Sequence, residues 1–336
     1  MRARPEERPG ERLVRRIALA LQGGGAHGAF TWGALDRLSQ EDDLDIAAIS
    51  GTSSGAINAA VYAYGSMVAG AEGARDALHR LWHGVSKAGH PWSEWMSRMA
   101  AVVGPYQYPL YLNPLVGILS EIIDFDDLRK CEAPHIFVCA TNVRTNQRKV
   151  FGGKDIKLDT LLASACLPQL FRAVEIDGEF YWDGGYMGNP VLSPLLRHSS
   201  DVLIVQVNPF LSPDIPKTPR EISERVNELG FNSSLVHEVN TISAITKLIE
   251  FGDLVSSRFR PIHFHKIAAE PVLKGSKNDT RWNYLLSLHQ SGWKAADDWI
   301  NDPNRFGKVG KDSSINVTSD LLGPLWGSLR NRAKED

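Results

Sequence analysis

The chain has 336 residues, of which 43% are hydrophobic and 23% charged, and its formal net charge is −2 at pH 7. This length can bury a sizeable core, and the near-neutral charge gives no reason to expect a nucleic-acid partner. No apolar run reaches the roughly 18 residues that a membrane-spanning helix requires. We therefore expect a soluble, cytoplasmic protein.

The two ends of the chain differ in composition from its middle. Residues 1–14 mix arginine with glutamate and lack the apolar core of a signal peptide, which predicts a charged, solvated arm. Beyond Pro303 the chain is polar again, which predicts a tail over 302–336. Between them we expect one domain over 15–301.

The cysteines do not predict a metal site. Cys131, Cys139 and Cys166 are odd in number and lack the spacing of metal ligands. We interpret all three as reduced core residues, and we expect neither a metal nor another cofactor.

Apolar runs and helical patterns alternate along the middle of the chain. The predicted strands are Ile17–Leu21, Asp45–Ser50, Pro134–Asn142, Arg148–Phe151, a hairpin over Val174–Asp183, Asp201–Asn208 and Ile262–Ile267. The predicted helices include Ala29–Leu38, Leu158–Leu167, Ser223–Phe251 and Trp282–Ile300. This order predicts an α/β fold with a mainly parallel central sheet between helices. Asp177-Gly178 fits the tight turn of the hairpin, a structural role.

The segment between Gly65 and Pro114 is less regular. Gly73–Val85 can form a helix, whereas Trp92 to Tyr111 crowds aromatic residues and methionines among prolines. Such a segment is either core packing or an apolar cover over a site that meets lipid. We favour core packing.

The most informative stretch is Gly51-Thr52-Ser53-Ser54-Gly55, which joins a predicted strand to an alanine-rich helix. A serine in such a turn is pushed out of the backbone, beside the free N–H groups of a helix N-terminus. Gly51 and Gly55 have no side chains and allow a tight turn. The pattern predicts a nucleophile at Ser53, with a purely structural turn as the alternative.

A glycine-rich turn follows the first predicted strand, so we expect it at the same edge of the parallel sheet as the serine turn. Three consecutive residues of this turn, Gly23, Gly24 and Gly25, have N–H groups that no side chain shields. Such an array of N–H groups can hold an oxyanion. The same turn fits a dinucleotide-binding fingerprint. However, the second strand does not end in the acidic residue that this fingerprint expects, so dinucleotide binding is the less favoured interpretation.

A third motif, Asp183-Gly184-Gly185, lies far downstream, and Ser164 to Pro168 precedes it. In this order the motifs resemble those of the patatin-like phospholipases, over about 17–208 of the chain. The resemblance implies a three-layer sandwich with a Ser-Asp dyad, in which Ser53 is the nucleophile and Asp183 the general base. It also places the oxyanion hole at the glycine turn, and covering helices are expected over 221–300.

Further motif residues are expected to support the site. They are His27, Gly28, Gly51, Gly55, Gly184 and Gly185. The family usually has arginine at the position of His27, so a role that depends on a permanent charge is in doubt there. We expect His27 to support the loop rather than to carry a proton.

An α/β-hydrolase triad is the nearest rival, with His263 or His265 as the base. Ser53, however, comes earlier in the chain than that fold would place it, and a lone strand histidine is more often packed than catalytic. A structural role for Asp183, as a cap at the end of the hairpin, is the other alternative.

These features predict a serine lipid acyl hydrolase that cleaves fatty-acyl esters of phospholipids or lysophospholipids through an acyl-enzyme. Another acyl ester, such as a storage polyester, is an alternative substrate. A non-catalytic lipid-binding protein with the same fold is the alternative function. The expected partner is the lipid or acyl-ester substrate, with transient contact to a membrane surface, and the oligomeric state is not predicted.

Overall fold

The computed structural model describes residues 14–103, 106, 113–210, 215–269, 275–303 and 305–306, without the side chains of 90–103 and 220. The strands are β1 (Arg15–Leu21), β2 (Leu44–Thr52), β3 (His135–Asn142), β4 (Gln147–Gly152), β5 (Val174–Ile176), β6 (Glu179–Asp183), β7 (Asp201–Gln206) and β8 (His263–Ala268). The helices are α1 (Gly28–Leu38), α2 (Ser54–Val103), α3 (Pro114–Ile122), α4 (Phe125–Leu128), α5 (Leu158–Ser164), α6 (Pro219–Glu250) and α7 (Trp282–Asn301).

The strands form one eight-stranded sheet in the order β5-β6-β3-β2-β1-β7-β8, with β4 also paired to β3. Neighbouring strands from β3 across to β8 are parallel, whereas β4, β5 and β6 add antiparallel pairs at the other end. The predicted α/β fold with a mainly parallel central sheet is therefore confirmed.

The sequence of β1 shows how the sheet is covered on both faces. Ile17, Leu19 and Leu21 join a core cluster with residues of α1, α2 and α7. Ala18 and Ala20 point to the other face and join a cluster that includes residues of α6. Because successive strand residues alternate between faces, this one buried strand separates two helical layers. The arrangement is the predicted three-layer sandwich.

Helix α2 is much longer than the sequence indicated. It runs from Ser54 to Val103, and only Ala69 and Gly70 depart from helical geometry, Gly70 with a φ of 61°. The helix resumes after this break, so the segment judged irregular is helical as far as Val103. Apart from Tyr106, the side chains of the aromatic segment over 92–111 lie outside the described part of the structure. Core packing of this segment, rather than an apolar cover over the site, stays a prediction. Tyr106 is described and is 62% exposed.

Helix α6 begins at Pro219, four residues before the predicted start. Thr218 and Glu221 form a capping box, in which the Thr218 side chain accepts from the Glu221 N–H. Pro219 occupies the first turn, where its missing N–H costs no helical hydrogen bond.

The predicted hairpin turn is confirmed, because Asp177 and Gly178 have positive φ values of 53° and 80°.

The edges of the predicted domain show further contacts. Arg305 pairs with Asp43 at 2.6 Å, and the ring of Phe306 packs against Trp299, although both residues follow the predicted domain end at 301. All three cysteines are free; Cys139 and Cys166 are buried, and Cys131 is partly buried and packs against the core. None of the described helices combines the length and the apolar character needed to cross a membrane.

Candidate active site

The carboxyl ends of β2 and β6 meet at β3. Thr52, the last residue of β2, pairs with Cys139 of β3, and Asp183, the last residue of β6, pairs with the next residue, Ala140. Because β2 is parallel and β6 antiparallel to β3, the two strands run towards each other and end at adjacent positions. Ser53 follows Thr52 directly, so the register brings the predicted nucleophile and the predicted base together.

Ser53 lies in a strained turn between β2 and α2. Its φ is 54°, a left-handed conformation that is uncommon for a residue with a side chain. Its N–H donates to the Ser164 hydroxyl oxygen at 2.9 Å, and the residue is 8% exposed. A Cβ atom on Gly23 would lie 2.6 Å from the Ser53 Cβ, so the glycine turn packs directly on the serine turn. Strain of this kind is typical of functional turns.

Asp183 is fully buried. Its Oδ1 accepts from the Gly185 N–H at 2.8 Å, whereas Oδ2 has no regular hydrogen-bond partner among the described residues. Burial raises the pKa of Asp183 to about 7, and the Gly185 hydrogen bond and the nearby Ser53 hydroxyl oppose that rise. The Ser53 hydroxyl is close enough to lower the pKa of the carboxyl group, although this contact falls short of a regular hydrogen bond. A carboxyl group with this pKa can accept a proton near neutral pH.

The three glycines of the turn are not equivalent. The Gly23 N–H donates to Asn189 Oδ1 at 2.7 Å, and the Gly24 N–H donates to the Ser54 hydroxyl oxygen at 3.1 Å. Gly25 has a φ of 58° and is exposed, and its N–H has no acceptor among the described residues. This differs from the prediction of three free donors, because side chains from distant parts of the chain already occupy the first two.

The other motif glycines pack too closely for any side chain. At each of them a Cβ atom would lie closer than 3.0 Å to a neighbouring atom: Gly28, Gly51, Gly55, Gly184 and Gly185. The predicted supporting glycines thus all lie where the serine, glycine and aspartate motifs pack against neighbouring elements.

Two asparagines hold the glycine turn, and the sequence reading missed both. Besides accepting from the Gly23 N–H, Asn189 donates through Nδ2 to the Gly23 carbonyl at 3.3 Å. Asn208 donates through Nδ2 to the same carbonyl at 2.7 Å. Asn208 lies just past the carboxyl end of β7, the sheet edge where α/β folds place their sites, and this position was the available signal.

His27 is a buried part of the turn. Its Nε2 lies 3.1 Å from the Tyr284 hydroxyl oxygen, and it is 5% exposed. Burial, followed by the positive charge of Lys277, lowers the pKa of His27 to about 4, although the Gly275 backbone opposes this shift. The imidazole is therefore neutral near pH 7 and does not supply the permanent charge of an arginine.

The rival histidines lie away from Ser53. His265 Nε2 contacts Asp201 Oδ1 at 2.8 Å, and His263 pairs with Asp201 at the start of β7. Their strand, β8, is separated from β2 by β7 and β1, which corresponds to about 14 Å at the usual strand spacing. The fold does not bring either histidine to the serine turn as a third member of a triad. Within the described part of the chain, no cluster of three or more His, Cys, Asp or Glu side chains could hold a metal ion.

Twelve chains of solved structures match this chain, including the following two. VipD from Legionella pneumophila shares 15% identity at a TM-score of 0.38, over 85% of this chain and 67% of that chain. A chain of the SpcU–ExoU complex from the type III secretion system of Pseudomonas aeruginosa shares 16% identity at a TM-score of 0.31, over 86% of this chain and 53% of that chain. This chain thus spans about half the length of the second neighbour. Neither likeness is close enough to support an assignment.

No curated protein gives a significant match to the sequence. A family model described as Patatin-like phospholipase matches residues 19–196, more than half of the chain. The matched range contains the glycine turn, Ser53 and Asp183. The chain therefore belongs to the patatin-like phospholipase family of lipid acyl hydrolases.

Proposed function

We propose that this protein hydrolyses fatty-acyl esters through a dyad of Ser53 and Asp183. The observation that carries this proposal is the meeting of the two strand ends, which leaves Ser53 in a strained turn beside a fully buried carboxyl group. The raised pKa of Asp183 makes its carboxylate a better base than an exposed aspartate.

In the first step the Ser53 oxygen attacks the ester carbonyl carbon while its proton passes to the Asp183 carboxylate. The tetrahedral intermediate then collapses to an acyl-enzyme, and the departing alcohol takes the proton from Asp183. Water attacks the acyl-enzyme in the second step and gives a proton to Asp183. Collapse of the second intermediate releases the fatty acid and returns the proton to Ser53.

The oxyanion needs hydrogen-bond donors at the glycine turn. We assign this role to the N–H groups of Gly24 and Gly25, while Gly23 anchors the turn through Asn189. The 3.1 Å hydrogen bond from Gly24 to Ser54 joins two neutral groups. A developing negative charge is a stronger acceptor and can take over this donor. Losing one such donor costs roughly 10²–10³ in turnover in other hydrolases.

The substrate we propose is a phospholipid or a lysophospholipid, which the protein would meet at a lipid surface. A storage polyester is the alternative ester. A protein that binds lipid without cleaving it is the alternative from another functional class. The intact set of Ser53, Asp183 and the glycine turn favours the enzyme.

The deciding experiment compares the purified protein with Ser53→Ala and Asp183→Asn variants on p-nitrophenyl esters and phospholipid vesicles. Ser233→Ala is the matched control, because this exposed serine of α6 bonds only locally, donating to the Gly230 carbonyl. We expect both dyad variants to lose at least about 10³ in kcat and a fluorophosphonate probe to label Ser53. Folded dyad variants as active as the parent, or labelling of another serine, would refute the dyad. Release of hydroxy acids from a polyester but no fatty acid from vesicles would refute the phospholipid substrate.

A further inference from the structure

A segment that precedes α7 packs on the glycine turn. The Lys277 carbonyl oxygen accepts from the Ala26 N–H at 2.7 Å. At Gly25 a Cβ atom would lie 2.5 Å from the same oxygen. The backbone at Lys277 therefore contacts the proposed oxyanion hole directly, although it lies about 250 residues away along the chain.

The Lys277 side chain turns into the protein. Its Nζ donates to Asn208 Oδ1 at 2.8 Å and lies 3.4 Å from Glu228 Oε1. Its side chain is 27% exposed. Burial lowers the pKa of Lys277, and the negative charge of Glu228 opposes this shift. The ammonium group is thus held between an amide oxygen and a carboxylate.

This hydrogen bond helps to fix the orientation of the Asn208 amide. An ammonium group only donates, so it requires the Asn208 oxygen to face it. The Asn208 nitrogen must then face the other way, and it donates to the Gly23 carbonyl at 2.7 Å. A chain of two hydrogen bonds therefore runs from the Lys277 ammonium group to the backbone of the glycine turn.

We propose that Lys277 is a positioning residue for the oxyanion hole, and that its ammonium group supplies a positive charge beside the glycine turn, where His27 is neutral. Lys277 acts through Asn208, which holds the Gly23 carbonyl. This inference rests on the proposed hydrolase function. Small displacements of a catalytic group can cost on the order of 10²-fold in rate, so a turn that is held less firmly should lower kcat rather than weaken substrate binding.

The test compares Lys277→Met, which removes charge and donor, with Lys277→Arg, which keeps both. Lys294→Met is the matched control, because this exposed lysine of α7 pairs only with Asp298, one turn away. We expect Lys277→Met to lower kcat about 10- to 100-fold with little change in KM, and to slow fluorophosphonate labelling of Ser53 in parallel. Lys277→Arg should recover most of kcat, which a simple loss of packing would not predict.

Three outcomes would overturn the inference: unchanged kcat in folded Lys277→Met, a change confined to KM, or no recovery in folded Lys277→Arg. If the methionine variant does not fold, Lys277→Gln serves instead, because it keeps an amide donor but not the charge. A glutamine variant as active as the arginine variant then refutes the role of the charge.

Ser53→Ala is measured in parallel. If Ser53→Ala is active, the hydrolase proposal itself fails. If Ser53→Ala is inactive while Lys277→Met is unaffected, only the role of Lys277 fails.

Discussion

Ser164 accepts a 2.9 Å hydrogen bond from the backbone N–H of Ser53. Two residues further along, the Cys166 carbonyl accepts from the Asp183 N–H at 2.8 Å. The C-terminal end of α5 thus holds the backbone of both proposed dyad members. This contact supports the strained φ of Ser53, since buried N–H groups without an acceptor are costly.

Replacing Ser164 with alanine should therefore weaken the site. Ser164→Ala leaves the buried Ser53 N–H without its acceptor, which should cost about 1–3 kcal/mol of unfolding free energy. We also expect a lower kcat, because the serine turn is held less firmly. Urea unfolding and esterase assays measure the two effects. The exposed control Ser233→Ala should change neither, and equal effects in both variants would contradict the prediction.

The activity should depend on pH through Asp183, which must be deprotonated to accept the Ser53 proton. Burial raises the pKa of Asp183 to about 7, so kcat/KM should rise with pH and level off above the midpoint near pH 7. His27 does not produce this midpoint, since burial lowers its pKa to about 4. A rate profile recorded from pH 5 to pH 9 tests this prediction. A constant rate between pH 5 and pH 8 would contradict it.

The same buried carboxyl group should make stability depend on pH. Its folded-state pKa, about 7, exceeds the value of about 3.9 in an unfolded chain. The folded state therefore binds the proton more tightly, and stability falls as pH rises from about 4 to about 7.

Asp183→Asn removes this charge. The free energy of unfolding of the variant should therefore rise relative to that of the parent as pH increases, by up to roughly 4 kcal/mol at pH 8. Urea unfolding at pH 5 and pH 8 measures the difference in unfolding free energy between the variant and the parent. Asp253→Asn, at an exposed position, is the control. If the difference in unfolding free energy between Asp183→Asn and the parent shrinks with rising pH, the assignment of a buried, destabilising carboxylate is contradicted.

Gly23 should tolerate no side chain. In Gly23→Ala the added Cβ would lie 2.6 Å from both the Ser53 Cβ and the Thr52 carbonyl oxygen, so the serine turn must shift. We expect a loss of about 1–3 kcal/mol in stability and a loss of about 10²-fold in kcat. Gly230→Ala in α6 is the control: no neighbour lies within 4 Å of its added Cβ, so helix propensity should stabilise it by roughly 0.5–1 kcal/mol. Full activity of Gly23→Ala would show that the close packing is not needed.

Features of this protein that depend on residues close together in the chain were predictable from their order alone. Alternating and continuous apolar runs predicted the strands, and the three glycine-containing motifs pointed to Ser53 and Asp183. The turn at Asp177-Gly178 was predictable because its conformation depends on the two residues in it. Helix α2 was the main local failure. The segment after Gly65 was expected to be irregular, yet the helix is interrupted only at Ala69 and Gly70 and continues to Val103.

Which N–H donors of the glycine turn are free depends on contacts with residues far along the chain. The Gly23 N–H is bound by a residue 166 positions away, and its carbonyl by one 185 positions away. Likewise, the adjacent ends of β2 and β6 follow from their registers on β3, which neither strand sequence encodes alone. These hydrogen-bond and strand-pairing partners depend on the strand order of the sheet and on packing across the whole domain. A pattern of neighbouring residues therefore locates the dyad motifs, while the folded chain sets the hydrogen bonds that hold them.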